Sequence, residues 1–212
     1  MSADLFSLAD ADDADALAAA LKGAGPVINE SGETLFLYAL YRGKAKCAAM
    51  LAARGNLTLH EAAASGDVAR VDACLERAPW AIQTLSADGW PALHLAAFLG
   101  RDDVVVRLLE LGASAGQWSR AFEPNLALHA ACAGRRLGRG AFSRLIVATG
   151  DVDLAQKSGH TALMIAAGNG FVEAVEALLG AGADPRRKTN EGKTAADIAR
   201  ERGHEALADR LA

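Results

Sequence analysis

Apolar residues recur at helical spacing along most of the chain, in short runs separated by glycines. The clearest example is residues 88–112, DGWPALHLAAFLGRDDVVVRLLELG, where Gly100 separates a short apolar run from a longer amphipathic one. This pattern predicts two short helices joined by a tight turn, because glycine readily ends a helix in the left-handed conformation. The pattern returns about every 33 to 35 residues, which indicates a stacked array of helix pairs rather than one closed core.

The beginning of each predicted pair carries a four-residue motif. Its clearest copies are PALH at 91–94, LALH at 126–129, TALM at 161–164 and TAAD at 194–197. These motifs resemble those of the ankyrin repeat. The resemblance implies an all-α fold, an ankyrin-repeat solenoid of stacked helix-turn-helix pairs with β-hairpin or loop fingers. It also implies that the first helices and the fingers line a concave surface that binds partners.

The glycines divide the chain into about seven units, which we interpret as a single ankyrin-repeat domain over residues 1–212. The predicted segments are a degenerate N-terminal cap (1–28), five repeats (29–56, 57–87, 88–123, 124–157 and 158–189) and a C-terminal cap (190–212). The finger before Leu57 is missing, so a gap or a change of curvature is expected in the row of fingers there. The loop 112–126 is longer than the usual finger.

Composition narrows the kind of partner. Hydrophobic residues make up 51% of the chain and aromatic residues only 5%, so Ala and Leu supply most of the apolar surface, as in closely packed helices. The net charge of -4 argues against a nucleic-acid partner, because binding to phosphates requires a basic face. Two short basic runs, within 135–139 and 186–188, are interpreted as solvated loop charge.

The cysteines and the N-terminal residues predict a cytoplasmic location. Three cysteines is an odd number, and Cys47, Cys74 and Cys132 stand where the repeat needs small apolar residues, so reduced thiols are expected. The N-terminal segment is acidic, unlike a secretion signal, and no apolar run is long enough to predict a membrane span. The Ala-rich, Arg-over-Lys composition favours a bacterial source.

His60, His94 and His129 are separated by 34 and 35 residues and could be considered as metal ligands. Equivalent residues of stacked helices lie roughly 8–10 Å apart, whereas zinc ligands lie about 2.0–2.3 Å from the metal. No metal site is therefore predicted. The resemblance instead gives these histidines a structural role, in which each imidazole bridges neighbouring backbone groups.

Motifs for hydrolysis, nucleotide binding or redox chemistry are absent from the sequence. We therefore predict that the chain is not an enzyme and needs no cofactor. The enzymatic alternative is an improvised site among His129, Arg135, Arg136 and His160.

Large side chains at positions that the repeat leaves variable predict a binding surface. The predicted partner-binding residues are Trp90, Phe98, Leu99, Gln117, Trp118, Arg120, Phe122 and Asn125. Tryptophan and arginine are typical of interface hot spots. The alternative is that the long finger folds back and buries Trp118 and Phe122. Trp80, which follows Pro79, is expected to act as a plug, either on the convex side or between repeats.

These features predict a non-catalytic interaction module that binds a protein partner, with no nucleic acid and no membrane, and that acts as a monomer. The alternative to the monomer is a dimer held together by the exposed Trp and Phe side chains. The alternative is an inhibitor or regulator that blocks an enzyme or toxin with the 112–126 finger. A fold of this kind specifies neither function by itself.

Overall fold

Helices account for almost all regular structure in the computed structural model, which describes residues 4–22, 27–55 and 57–212. These residues form fourteen α-helices in seven successive pairs, which we number as units one to seven. The helices are α1 (Leu5–Asp10), α2 (Ala14–Ala20), α3 (Leu35–Tyr41), α4 (Ala45–Ala53), α5 (Leu59–Ser65), α6 (Val68–Arg77), α7 (Ala92–Phe98), α8 (Asp102–Glu110), α9 (Ala127–Gly134), α10 (Arg139–Thr149), α11 (Ala162–Gly168), α12 (Val172–Gly180), α13 (Ala195–Glu201) and α14 (Glu205–Leu211). A short 3-10 helix, Pro79–Gln83, follows α6.

Parts of two predicted segments fall outside this description. Residues 1–3 and 23–26 belong to the predicted N-terminal cap, and Asn56 ends the predicted second unit.

Side-chain oxygens start most of the first helices. Thr34, Thr58, Thr161 and Thr194 occupy equivalent N-cap positions, and each hydroxyl accepts a hydrogen bond from the backbone N–H three residues later. An N-cap of this kind satisfies one of the N–H groups that a helix start leaves unpaired. Units four and five lack it, because Pro91 and Leu126 stand at that position.

The helices pack in two rows, as the periodic pattern predicts. First helices contact the first helices of neighbouring units, with α7 between α5 and α9, and second helices form the other row. Alanines such as Ala96, Ala97 and Ala131 are fully buried between first helices, where their small side chains allow close approach. Larger side chains, including Leu108 and Leu145, fill the space beside the second helices. The all-α solenoid predicted from the sequence is confirmed.

The expected gap at the missing finger is closed by its neighbours. Isolated β-bridges join Ile28 to Thr34, Leu85 to Pro91 and Ala155 to Thr161, and these define the fingers of units two, four and six. The backbone of Gly32, in the finger of unit two, lies against Ala87, in the finger of unit four. A Cβ atom on Gly32 would lie 2.5 Å from the Ala87 carbonyl oxygen. The Tyr41 hydroxyl donates to Asp88 across the same boundary at 3.1 Å. The two fingers are therefore direct neighbours.

Each of the three histidines near a first-helix start donates a hydrogen bond to the next loop, and His129 alone bridges two backbone groups as the resemblance implies. The Nε2 atoms of His60, His94 and His129 donate to the carbonyl oxygens of Thr84, Asn125 and Leu154, at 3.0, 2.9 and 3.0 Å. Burial lowers the pKa of His94 and of His129 to about 4, so both rings are neutral near pH 7. A neutral ring that donates from Nε2 has an acceptor at Nδ1.

The Nδ1 acceptors of His94 and His129 differ in whether they have a partner. Nδ1 of His129 accepts from the backbone N–H of Leu126 at 3.2 Å. The equivalent residue in unit four is Pro91, which has no N–H, and Nδ1 of His94 is buried without a hydrogen-bond partner among the described residues. His60 stands one residue earlier in its motif, where Glu61 instead accepts from the Thr58 N–H at 2.9 Å.

Replacing Pro91 with threonine should stabilise the protein. The substitution supplies both a backbone N–H for His94 Nδ1 and an N-cap hydroxyl, each worth about 1 kcal/mol, against roughly 0.4–1 kcal/mol for loss of the proline constraint on the unfolded chain. We expect a net gain of about 1 kcal/mol in the free energy of unfolding, measured by urea denaturation. Pro185→Thr, in a turn without a buried histidine, is the matched control and should give no gain. If both variants changed the free energy of unfolding equally, the view that Pro91 deprives His94 Nδ1 and the start of α7 of hydrogen bonds would be contradicted.

Candidate functional site

The long finger of unit five is built on a closed backbone loop at its base. The N–H of Ser119 donates to the carbonyl oxygen of Asn125 at 2.9 Å, and the N–H of Asn125 donates to the Ser119 hydroxyl at 3.1 Å. The same Asn125 carbonyl accepts the bond from His94. Unit four therefore holds the point where the finger returns to the stack.

Two hydrogen bonds, one to each neighbouring finger, hold the rest of this loop, and we call them the two braces. The N–H of Arg120 donates to the Gly89 carbonyl oxygen of the preceding finger at 2.8 Å. On the other side, the Ser158 N–H of the following finger donates to Oε1 of Glu123 at 2.8 Å. Hydrogen bonds from Ser158 hold the pKa of Glu123 below its ordinary value, so the carboxylate is charged near pH 7. Ala121 and Phe122 lie between the two braces.

The structure answers whether the aromatic residues of the finger are buried. Phe122 is fully exposed, so the alternative in which the finger buries it is wrong. Trp118 is 38% exposed and packs partly on His129, with the ring centroids 6.1 Å apart. Arg120 is exposed. The tip of the loop therefore presents the fully exposed ring of Phe122. The partly exposed indole of Trp118 and the guanidinium group of Arg120 belong to the same loop.

Gln117 and Trp90 lie at the base of this surface. The Gln117 amide donates to the Gln83 carbonyl oxygen at 2.9 Å, which ties the finger to the 3-10 helix before the fourth finger. Trp90 follows Gly89, the residue that pairs with Arg120, but its ring is only partly exposed because it packs against the core of the N-terminal units and against His94. Trp90 is therefore a supporting residue more than an exposed contact.

Three predicted site residues are not part of the exposed finger surface. Leu99 and Asn125 are buried, with 7% and 8% exposure, so neither is available to a partner in this structure. Leu99 packs in the apolar core, and Asn125 closes the base of the finger. Phe98 is exposed, but it is the last residue of α7 and lies at the end of the helix away from the fingers. That end is roughly 10 Å along the helix axis from the first residue of α7.

The structure adds Trp80, for which the sequence predicts a plug on the convex side or between repeats. That expectation is wrong, because Trp80 is 72% exposed. Trp80 belongs to the 3-10 helix whose Gln83 receives the bond from Gln117, and the Gln83 amide also donates to the Gly112 carbonyl oxygen at 3.3 Å. Only the hydrogen bonds between distant loops reveal this neighbourhood, and no local pattern in the sequence encodes them.

The two histidines considered for an improvised catalytic site make structural contacts, whereas Arg135 and Arg136 are exposed. His129 is buried, with both ring nitrogens bonded to backbone groups, and His160 Nδ1 lies 2.8 Å from the Ser158 hydroxyl. Among the described residues, no group of three or more His, Cys, Asp or Glu side chains is arranged to hold a metal ion. In the same part of the chain, no helix combines the length and apolar character that crossing a membrane requires.

Comparison with known protein families agrees with the helix pairs and fingers. Residues 88–117 match a model of the ankyrin repeat, and residues 128–212 match a model of ankyrin repeats in three copies. The two matches together cover more than half of the chain, which belongs to the ankyrin repeat family. No curated protein matches the chain. Ankyrin repeats are generally protein–protein interaction modules, and the family is typically non-catalytic.

Truncation of Glu123 should loosen the finger without unfolding the array. Glu123→Ala removes the acceptor of the Ser158 N–H, so that amide should exchange its hydrogen with solvent about tenfold faster or more. The thermal midpoint should change little, because the bond links two surface loops. Hydrogen exchange followed by NMR measures the effect.

The control for this experiment is Glu173→Ala, which removes an exposed glutamate of α12. It should leave the Ser158 amide unchanged. If Glu123→Ala also left Ser158 exchange unchanged, the brace between these two fingers would be disproved.

Proposed function

We propose that the chain is a non-catalytic interaction module that binds a protein partner through the finger surface of units four and five. The observation that carries the proposal is the complete exposure of Phe122 on a loop that is hydrogen-bonded on both sides. Contiguous exposed apolar surface commonly marks an interaction site, and Phe122 shares its loop with the partly exposed Trp118. We further expect a monomer in the cytoplasm.

The bracing of the finger favours binding because it reduces the cost of ordering the loop. A flexible loop loses conformational freedom when a partner fixes it, whereas a loop already held in place loses little. Arg120 and Glu123 fix the backbone on either side of Phe122, so the ring is presented from a defined position. This arrangement is typical of a preorganised anchor residue.

The surroundings of Phe122 indicate the chemistry of the partner surface. Trp118 offers a partly exposed indole, and Arg120 and Gln117 offer hydrogen-bond donors on the same loop. An apolar recess rimmed by carbonyl or carboxylate oxygens would complement this combination. We propose that Phe122 enters such a recess and that Arg120 and Gln117 pair with groups on its rim.

An inhibitor or regulator is the second candidate, and the protrusion of Phe122 favours it. A single fully exposed ring at a loop tip can fill the active-site cleft of an enzyme or toxin. In that case Phe122 and Trp118 carry nearly all of the binding energy, whereas a broad docking surface would also depend on Trp80 and Trp90. Alanine substitution of each residue separates the two candidates.

Substitution of Phe122 should abolish partner binding while leaving the fold intact. Because its side chain is fully exposed, Phe122→Ser should change the free energy of unfolding by no more than about 0.5 kcal/mol. Loss of an anchor residue typically weakens binding by 2 kcal/mol or more, about thirtyfold. Affinity capture from a lysate of the source organism, followed by measurement of the captured protein's affinity for each variant, tests both points.

Val147→Ser is the matched control, because Val147 is 81% exposed but lies on α10, a second helix. It should retain the partner at wild-type level. Retention of the partner by Phe122→Ser at wild-type affinity would exclude the finger as the binding site.

A further inference from the structure

The turn of unit five brings arginines against unit four. Three exposed arginines lie at this turn. Arg135 and Arg136 stand between α9 and α10, and Arg139 is the first residue of α10. The backbone of Arg136 lies over Gly100, so that a Cβ on Gly100 would lie 2.5 Å from Cβ of Arg136. Arg101 comes directly after Gly100. We name these four arginines the basic turn surface.

Arg101 is fixed within this surface by the unit before it. Its Nε donates to the carbonyl oxygen of Ala64, near the end of α5, at 2.8 Å. The pKa of Arg101 is lowered, first by partial burial and then by the charge of Arg136. The positive charge of Arg136 therefore repels the guanidinium group of Arg101, which stays protonated near pH 7.

Among the described residues, the ion pairs lie outside this surface. In the described part of the chain, none of the four arginines forms an ion pair, whereas Arg107 pairs with Asp72 at 2.8 Å and Arg210 pairs with Glu176 at 2.9 Å. The acidic neighbours in sequence are Asp102 and Asp103. Asp102 accepts a hydrogen bond from the Gly138 N–H at 2.9 Å, so it holds the turn in place.

An aromatic ring borders the basic turn surface. Phe98 is 36% exposed at the end of α7. The end of α9 packs directly on it, because the Phe98 carbonyl group leaves no room for a side chain at Gly134. Phe98, whose side chain is partly exposed, therefore stands next to the turn that carries Arg135 and Arg136, at the end of the first helices away from the fingers.

We propose that the basic turn surface binds an acidic peptide segment of a protein partner, with Phe98 contacting an apolar residue of that segment. Three exposed arginines without ion pairs among the described residues, beside the half-buried Arg101, suit carboxylate groups, which guanidinium groups bind in paired hydrogen bonds. A short acidic peptide fits the size of this small basic surface. A nucleic acid would extend beyond it over a chain whose net charge of -4 repels phosphates. The proposal does not require the fingers to bind anything.

Binding of a fluorescent oligoglutamate peptide tests this proposal. At low salt the wild-type chain should bind the peptide, measured by fluorescence anisotropy, and oligolysine should not bind. Arg136→Glu combined with Arg139→Glu should weaken binding about tenfold or more, because two attractive contacts become repulsive. In NMR titrations the amide shifts should concentrate at residues 98–103 and 134–140.

The matched control is Arg187→Glu combined with Lys188→Glu, which changes the net charge equally at another exposed basic run. It should keep most of the peptide affinity. Equal losses in both double variants, or amide shifts centred elsewhere, would overturn the proposal. A single-stranded DNA oligonucleotide that binds residues 98–103 and 134–140 more tightly than the peptide would also overturn it, in favour of nucleic acid.

Discussion

The hydrogen bond from His94 to the Asn125 carbonyl oxygen is the interaction on which the candidate site depends. Asn125 is where the chain of the long finger returns to the stack. Because that carbonyl is shared between His94 and Ser119, the repeat before the finger fixes the base of the finger. A buried imidazole that stays neutral can donate this bond without the cost of burying a charge.

The repeat architecture separates two kinds of surface along the first helices. At one pole the fingers contact each other and present Phe122 between two braces. At the other pole the turns of units four and five place four arginines beside Phe98. Each surface is built from side chains of adjacent units, so neither would exist in a single repeat. Such a division would let one array contact a partner at two places with different chemistry.

The sequence alone was enough to predict the helix pairs and the family, because these follow from local patterns that recur along the chain. The resemblance to that family implied the structural role of the histidines, and only His129 bonds two backbone groups. It could not place Leu99 and Asn125 correctly, since their burial depends on how α7 and the long finger pack. The bond between Glu123 and Ser158 joins residues of different fingers, and the contact of Arg136 with Gly100 joins different units. No periodic pattern encodes such contacts. Trp80 was misplaced for the same reason.

Backbone order parameters of the finger test the central claim, that the array holds Phe122 in a defined position, most directly. NMR relaxation of the amides of Ala121 and Phe122 should give values near those of a rigid backbone, about 0.85, similar to the shorter finger at 155–161. Values below about 0.6 at Ala121 and Phe122, beside rigid helices, would contradict the account. The finger would then be a flexible loop, and its braces would not order the aromatic ring.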